Sequence, residues 1–426
     1  MSISYACVLP HPPLILPEIG RGEEQKIKDT IKAYQTIAQT IAMIKPDTIV
    51  LVSPHAPMLR DGFFVAEGVI DSGDMARFNA SHLKATYPID QAFVQALRQS
   101  VPSIKAHEIE LDHGSMVPLT MIEQYYKDFK LVRIGISGLS REKHRDLGKT
   151  IQSVSLQLNR KTVFIASGDL SHRLKAEGPY GFDAQGPKFD LAIKDTLKTG
   201  ELDKLFELSA KLCDQAGECG YRSLLVMAGV LDELTIKTEV LSYEAPFGVG
   251  YLCASIHVLN PIVALARKAI EHYVKDQSFI DASLVKHIDP HMQGACFVSL
   301  HKHNQLRGCI GTLQPTHHNL IEEIIHNAVA ACSKDPRFNP VSLKELSDLD
   351  ISVDVLSPAQ KVDRNQLDPK RYGVIVRSAR RTGVLLPDLD GVDTVAKQLD
   401  IALRKAGINP RSDYTIERFE VERHHD

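Results

Sequence analysis

No Cys-x-x-Cys pair occurs among the seven cysteines of this 426-residue chain. That argues against a structural zinc knuckle and, because the cysteines are scattered from Cys7 to Cys332, against a disulfide framework. Reduced thiols, most of them buried as small apolar residues, are expected. No apolar run is long enough to cross a bilayer, and no basic stretch precedes Ile3 to Leu9 as it would in a signal peptide. The expected address is the cytoplasm, with no membrane partner. A formal charge of −3 leaves no basic excess to suggest a nucleic-acid partner. With 43% apolar and 24% charged residues, the chain is of the ordinary globular class and long enough for two domains.

What is present begins with Val8-Leu9-Pro10-His11-Pro12-Pro13, a histidine in a rigid proline frame just after a short apolar run. Prolines restrict the backbone and donate no hydrogen bond, so this stretch reads as a fixed loop at a strand end. Ile27, Ile31, Tyr34, Ile37, Ile41 and Ile44 then recur at three- and four-residue steps, one apolar face of a helix. Thr48 to Val52 reads as a buried strand that stops at Ser53-Pro54-His55-Ala56-Pro57, a second histidine in a second proline frame. Leu131 to Ile136 and Thr162 to Ala166 have the same continuous apolar character, with helical stretches near Arg141 to Leu158 and Pro187 to Leu197. Such alternation indicates an α/β sheet covered by helices on both faces.

Ser167-Gly168-Asp169-Leu170-Ser171-His172 follows one of these strands, and Tyr243-Glu244-Ala245-Pro246 follows a further strand expected over Thr238 to Ser242. Leu111-Asp112-His113-Gly114 precedes a helix expected to begin near Ser115. In open α/β sheets ligands bind beyond the strand carboxyl ends, so these groups have a plausible common address. Two neutral imidazoles and one carboxylate with open coordination positions form the facial triad of non-haem Fe(II), although zinc hydrolases use a similar set. His107, His144 and His257 are read as structural. Asp112 either orients His113 or caps the following helix, and a turn-stabilising role is preferred for Asp169.

In their order, these motifs and Glu244 resemble the LigB-like class III extradiol dioxygenase superfamily, which includes the MEMO proteins. The resemblance covers residues 1–260. It implies that His11, His55 and Glu244 hold Fe(II), with zinc or another divalent metal as the alternative. It also implies that His172 acts as acid/base and that His113 lines the oxygen or substrate pocket. MEMO proteins are expected to place a cysteine as third ligand; Glu244 is read here as a departure that favours the catalytic branch. The implied reaction is O2-dependent ring cleavage of a catechol-like or aminophenol-like substrate. His172, with an ordinary pKa of about 6.5, would take a proton and return it.

The chain changes character at Leu259-Asn260-Pro261, where a helical pattern through Ile262, Leu265, Ala269 and Tyr273 starts a new unit, residues 261–426. Ala295 to Leu300 and Gln305 to Gly311, joined by a polar turn, form an expected hairpin. Leu306-Arg307-Gly308-Cys309-Ile310-Gly311, Asp335-Pro336-Arg337-Phe338 and Arg380 to Pro387 resemble the AMMECR family, which implies an α+β fold and no secure activity. Arg307 is a candidate for holding an anion. Cys309 would be a reactive thiol if Arg307 lowers its pKa, although a buried cysteine between packing glycines is the preferred reading. His301, His303, His317 and His318 are read as surface residues in turns. Together the two parts resemble a fusion of two components of the system called AmmeMemoRadiSam. That implies a second reading, a metal-binding accessory or redox protein acting with a radical-SAM partner. A homodimer accompanies this resemblance, but no stripe in the sequence demands one.

Overall fold

The computed structural model describes residues 3–285 and 288–425. Two compact units divide the chain, Met1–Val258 and Leu259–Asp426. In the first, the strands are β1 (Ile3–Leu9), β2 (Thr48–Ser53), β3 (Phe63–Ala66), β4 (Ile70–Met75), β5 (Ala80–Pro88), β6 (Ile104–His107), β7 (Lys130–Gly135), β8 (Thr162–Ser167), β9 (Ile236–Glu244) and β10 (Tyr251–Val258). Eight of them form one sheet in the order β6-β3-β7-β2-β8-β1-β10-β9, and β4 pairs with β5 as a separate hairpin. The centre of the sheet, β7-β2-β8-β1, is parallel, whereas β10 and β9 on one side and β3 on the other bring antiparallel pairings.

The helices of this unit are α1 (Pro17–Gly20), α2 (Lys28–Ile44), α3 (Gln91–Ser100), α4 (His113–Glu123), α5 (Arg141–Gln157), α6 (Gln185–Thr199), α7 (Ala210–Ala216) and α8 (Tyr221–Val230). Side chains alternate across a strand, so each central strand feeds two cores. Ala6, Val8, Val50, Val52, Phe164 and Ala166 pack with residues of α5, α6 and α8. Tyr5, Cys7, Leu9, Ile49, Leu51, Val163 and Ile165 pack with Tyr34, Ile37 and Ile41 of α2 and with Met116 and Val117 of α4. Burial on both faces explains why these strands read as unbroken apolar runs instead of alternating ones.

The second unit is α+β. Its strands are β11 (Ala295–Lys302), β12 (Gln305–Gly311), β13 (Leu349–Leu356), β14 (Gln360–Lys361), β15 (Gly373–Ser378), β16 (Arg381–Leu385), β17 (Thr415–Phe419) and β18 (Val421–His425). They form two antiparallel sheets, β12-β11-β13-β18 and β14-β17-β15-β16. Helices α9 (Pro261–Asp276) and α10 (Leu320–Ser333) cover the first, and α11 (Val395–Ala406) covers the second. The expected hairpin is β11–β12. His303 and Asn304 turn it with φ of 50° and 61°, the doubly positive geometry that matches strand twist in a two-residue loop. No described helix of the chain is long and apolar enough to cross a membrane.

Candidate metal centre

Because β1, β2 and β8 are parallel neighbours, the loops after them emerge along one sheet edge. His11 and His55 each lie two residues beyond their strand. The proline frame around His11 is tied from both sides: Tyr34 Oη of α2 donates to the Pro10 carbonyl, and the His11 N–H donates to Asp169 Oδ1 at 2.8 Å. The two imidazoles meet with His11 Nε2 and His55 Nε2 3.0 Å apart.

The tautomer of His11 follows from its neighbours. Ser167 Oγ donates its single proton to the Gly114 carbonyl at 2.5 Å. It therefore accepts from His11 Nδ1 at 2.9 Å, which leaves the Nε2 lone pair of His11 directed at the site. The carbonyl of Gly114 is free to accept because residue 118, four positions on in α4, is proline and has no N–H.

The third ligand expected from sequence is not delivered. Glu244 ends β9 at the correct edge of the sheet, but β9 is the outermost strand, two strand spacings or about 10 Å from β1. Its Oε2 accepts from both the backbone N–H and the Oγ1 of Thr30, each at 2.7 Å, in the first turn of α2. Cys219 stands at the histidines instead, its Sγ 3.6 Å from His11 Nε2. Among the described residues, His11, His55 and Cys219 are the one set of three whose candidate ligand atoms all lie within 4.8 Å of one another. The expected departure from the cysteine-bearing pattern is thereby withdrawn.

Cys219 arrives from the short connection between α7 and α8, where the sequence carries no strand-end signal. It is seated by contact with the β8 loop. Asp169 N donates to Cys219 Sγ at 3.2 Å, and Gly220 N donates to Asp169 O at 2.9 Å. The approach needs Gly168, since a Cβ there would lie 2.1 Å from Gly220 Cα.

The two separations made by His11 Nε2, to His55 Nε2 and to Cys219 Sγ, suit a shared metal. Ligand bonds of about 2.0–2.1 Å to nitrogen and 2.3 Å to sulfur at a tetrahedral angle separate N from S by about 3.6 Å and N from N by about 3.3 Å. The nitrogens, 3.0 Å apart, are slightly closer than that and near a right-angled arrangement.

His113 and His172 border the set. The His113 ring lies 4.1 Å from that of His55 and 5.4 Å from that of His11, with Phe78 against it edge-on at 5.2 Å. His172 packs on the exposed ring of Tyr180 at 5.0 Å, and its buried Nε2 has no hydrogen-bond partner among the described residues. Burial first, and His55 second, push both His113 and His172 down to about 4. Burial also pushes His11 well down, with His55, His113 and His172 adding to the shift, and it lowers His55 against an opposing pull from Asp112. These imidazoles are therefore neutral at neutral pH, the form that ligates metals. Burial, reinforced by Asp169, raises the Cys219 thiol well above its ordinary value, so the sulfur keeps its proton until a cation displaces it. Asp169 itself is raised by burial to about 7 even though it accepts the His11 N–H.

In the second unit, Arg307 is not free to hold an anion. Glu345 grips its guanidinium through Nε at 3.0 Å and Nη2 at 3.2 Å, and that pairing helps hold Glu345 down at about 2. The half-buried thiol of Cys309 accepts from Ser299 Oγ at 3.2 Å. The guanidinium bonded to the backbone carbonyl of Cys309 is that of Arg337, itself paired with Asp335.

Residues 5–254 match the family described as the catalytic LigB subunit of aromatic ring-opening dioxygenase. The chain belongs to that family. Its LigB domain is followed by an AMMECR1 domain, matched over residues 263–424. Protein CA_C1420 of Clostridium acetobutylicum is 40% identical over 466 aligned positions that cover 100% of this chain and 99% of its own. A Thermotoga maritima protein is 51% identical over 171 residues, 39% of this chain and 97% of its own. Among solved structures, uncharacterized protein JW3007 from Escherichia coli K12 is 18% identical with a TM-score of 0.43, covering 59% of this chain and 99% of that one.

Proposed function

We propose that the LigB domain binds a thiolate-accepting transition metal on His11 Nε2, His55 Nε2 and Cys219 Sγ. On this reading the protein serves as the metal-dependent redox component of a larger system, with a radical-SAM protein as partner and the AMMECR1 domain as docking module. One observation carries the reading: sulfur stands at the histidine pair while the carboxylate expected as third ligand, Glu244, is committed to Thr30. Two imidazoles with a thiolate suit zinc or copper, whereas two imidazoles with a carboxylate suit Fe(II) oxygenases. A metal held there supplies Lewis acidity or, if it is copper or iron, one-electron redox chemistry. The chain supplies the rest. His113 and His172 are neutral and adjacent, and His172 Nε2 offers an unused hydrogen-bonding position to a bound molecule.

A second reading, Fe(II)-dependent extradiol cleavage of a catechol or aminophenol with O2, is favoured by the placement of those two histidines beside the pair. In it His172 moves the substrate proton and His113 lines the pocket. Anaerobic purification with elemental analysis, followed by oxygen uptake against a panel of catechols and aminophenols, separates the two. Copper at one equivalent without uptake supports the redox reading, whereas zinc, which has no redox chemistry, supports the ligand set and overturns the redox role. Iron with His172-dependent uptake overturns it in favour of ring cleavage.

A further inference from the structure

The two histidines come from different strands, yet both are tied to one turn of helix. Asp112 caps α4, accepting from Ser115 N at 3.0 Å. That task uses only part of its carboxylate. Oδ1 also accepts from Ser53 Oγ at 2.5 Å, and Ser53 Oγ accepts from the backbone N–H of His55 at 3.2 Å. Two residues further on, Gly114 presents its carbonyl to Ser167 Oγ and through it to His11 Nδ1. Gly114 also leaves room for this arrangement, because a Cβ there would lie 2.6 Å from Ser53 Oγ and 3.2 Å from the His55 ring.

The carboxylate at this junction is itself held. Arg133 of β7 is fully buried and reaches Asp112 Oδ2 through Nη1 at 3.3 Å, while its Nε and Nη2 grip Asp71 of β4 at 2.7 and 3.0 Å. A capping aspartate needs no buried guanidinium behind it; a carboxylate that must keep one orientation does.

We infer that Asp112, oriented by Arg133, is the positioning residue of the metal centre: it fixes His55 through Ser53 while the same helix turn fixes His11 through Gly114 and Ser167. The inference rests on the metal reading above. Asp112 touches none of the candidate ligand atoms and acts only through the residues it holds.

Asp71 provides the control, since it shares Arg133 with Asp112 but has no hydrogen bond to Ser53. Cobalt(II) titration of the full chain is compared for the wild type, Asp112→Asn, Asp71→Asn and Ser53→Ala, with thermal unfolding of each. Both aspartate variants are expected to unfold at lower temperature. Asp112→Asn alone of the two should also lose about 10- to 100-fold in cobalt affinity and shift the cobalt ligand-field bands. Ser53→Ala, which leaves Arg133 untouched, should show the affinity loss as well and keeps the test open if Asp112→Asn does not fold. Cobalt affinity in Asp112→Asn equal to that in Asp71→Asn, or wild-type affinity in Ser53→Ala, would overturn the inference and leave the metal reading standing. A wild type that takes up no cobalt overturns both.

Discussion

Gly168→Ala is expected to disable the metal centre without touching any ligand. The new Cβ would lie 2.1 Å from Gly220 Cα, whereas unbonded carbons rest about 3.5–4.0 Å apart. The β8 loop and the Cys219 connection must therefore separate by about 1.5 Å. Asp169 N now reaches Cys219 Sγ at 3.2 Å, and Gly220 N reaches Asp169 O at 2.9 Å; a shift of that size takes both past the useful hydrogen-bond range. Overpacking of this kind costs about 1–3 kcal/mol, a fall in Tm of about 3–10 °C for a unit of this size. The sulfur also leaves the position where its 3.6 Å separation from His11 Nε2 suits a shared cation, so affinity should fall about 100-fold. Competition against a chromophoric chelator reads the affinity, and calorimetry reads Tm. Cys219→Ala should reproduce the affinity loss with a smaller loss of Tm. Unchanged affinity and Tm in Gly168→Ala would refute the reasoning that places Cys219 by that contact.

Three further outcomes are expected. Metal binding must displace the Cys219 proton, held by burial and Asp169, while the histidines are already neutral. Affinity should therefore rise about tenfold per pH unit between pH 6 and 8, and a pH-independent titration would contradict a thiolate ligand. Glu244→Gln should cost about 1 kcal/mol of stability by weakening its hold on Thr30 at the start of α2, read as a fall in the denaturant midpoint; an unchanged midpoint would contradict the capping role. His144, fully buried between Ser140 O and Ser137 N, is pushed down to about 4 by burial, so the unfolded chain binds its proton first. Its contribution is complete above the ordinary histidine pKa of about 6.5 and should be lost as pH falls toward 4, about 3 kcal/mol in all. His144→Gln should show a correspondingly flatter stability profile over that window, and a profile parallel to wild type would contradict this.

The sheet was legible because its central strands are buried on both faces, so Thr48 to Val52 and Thr162 to Ala166 appear as apolar runs with histidine-bearing loops after them. The proline frames located His11 and His55 for the same reason: local backbone stiffness is written in local sequence. Glu244 misled because strand-end logic gives the edge of a sheet but not the lateral order of its strands; only pairing shows β9 outermost. Cys219 was invisible because a Gly168–Gly220 contact spanning some fifty residues of chain seats it, and no short motif records that. Arg307 next to Cys309 likewise suggested an electrostatic partnership, but Glu345, distant in sequence, takes the guanidinium. Asp112 looked like a cap and is one; its tie to Ser53 depends on α4 folding against the β2 loop.

The central claim is that Cys219, and not Glu244, completes the metal set with His11 and His55. Near-ultraviolet absorption of the cobalt-loaded protein tests it most directly, because thiolate ligation gives an intense sulfur-to-cobalt charge-transfer band. The band is expected in the wild type and in Glu244→Gln, and it should vanish in Cys219→Ala. A cobalt-loaded wild type without the band, or a band that survives Cys219→Ala, would contradict the claim.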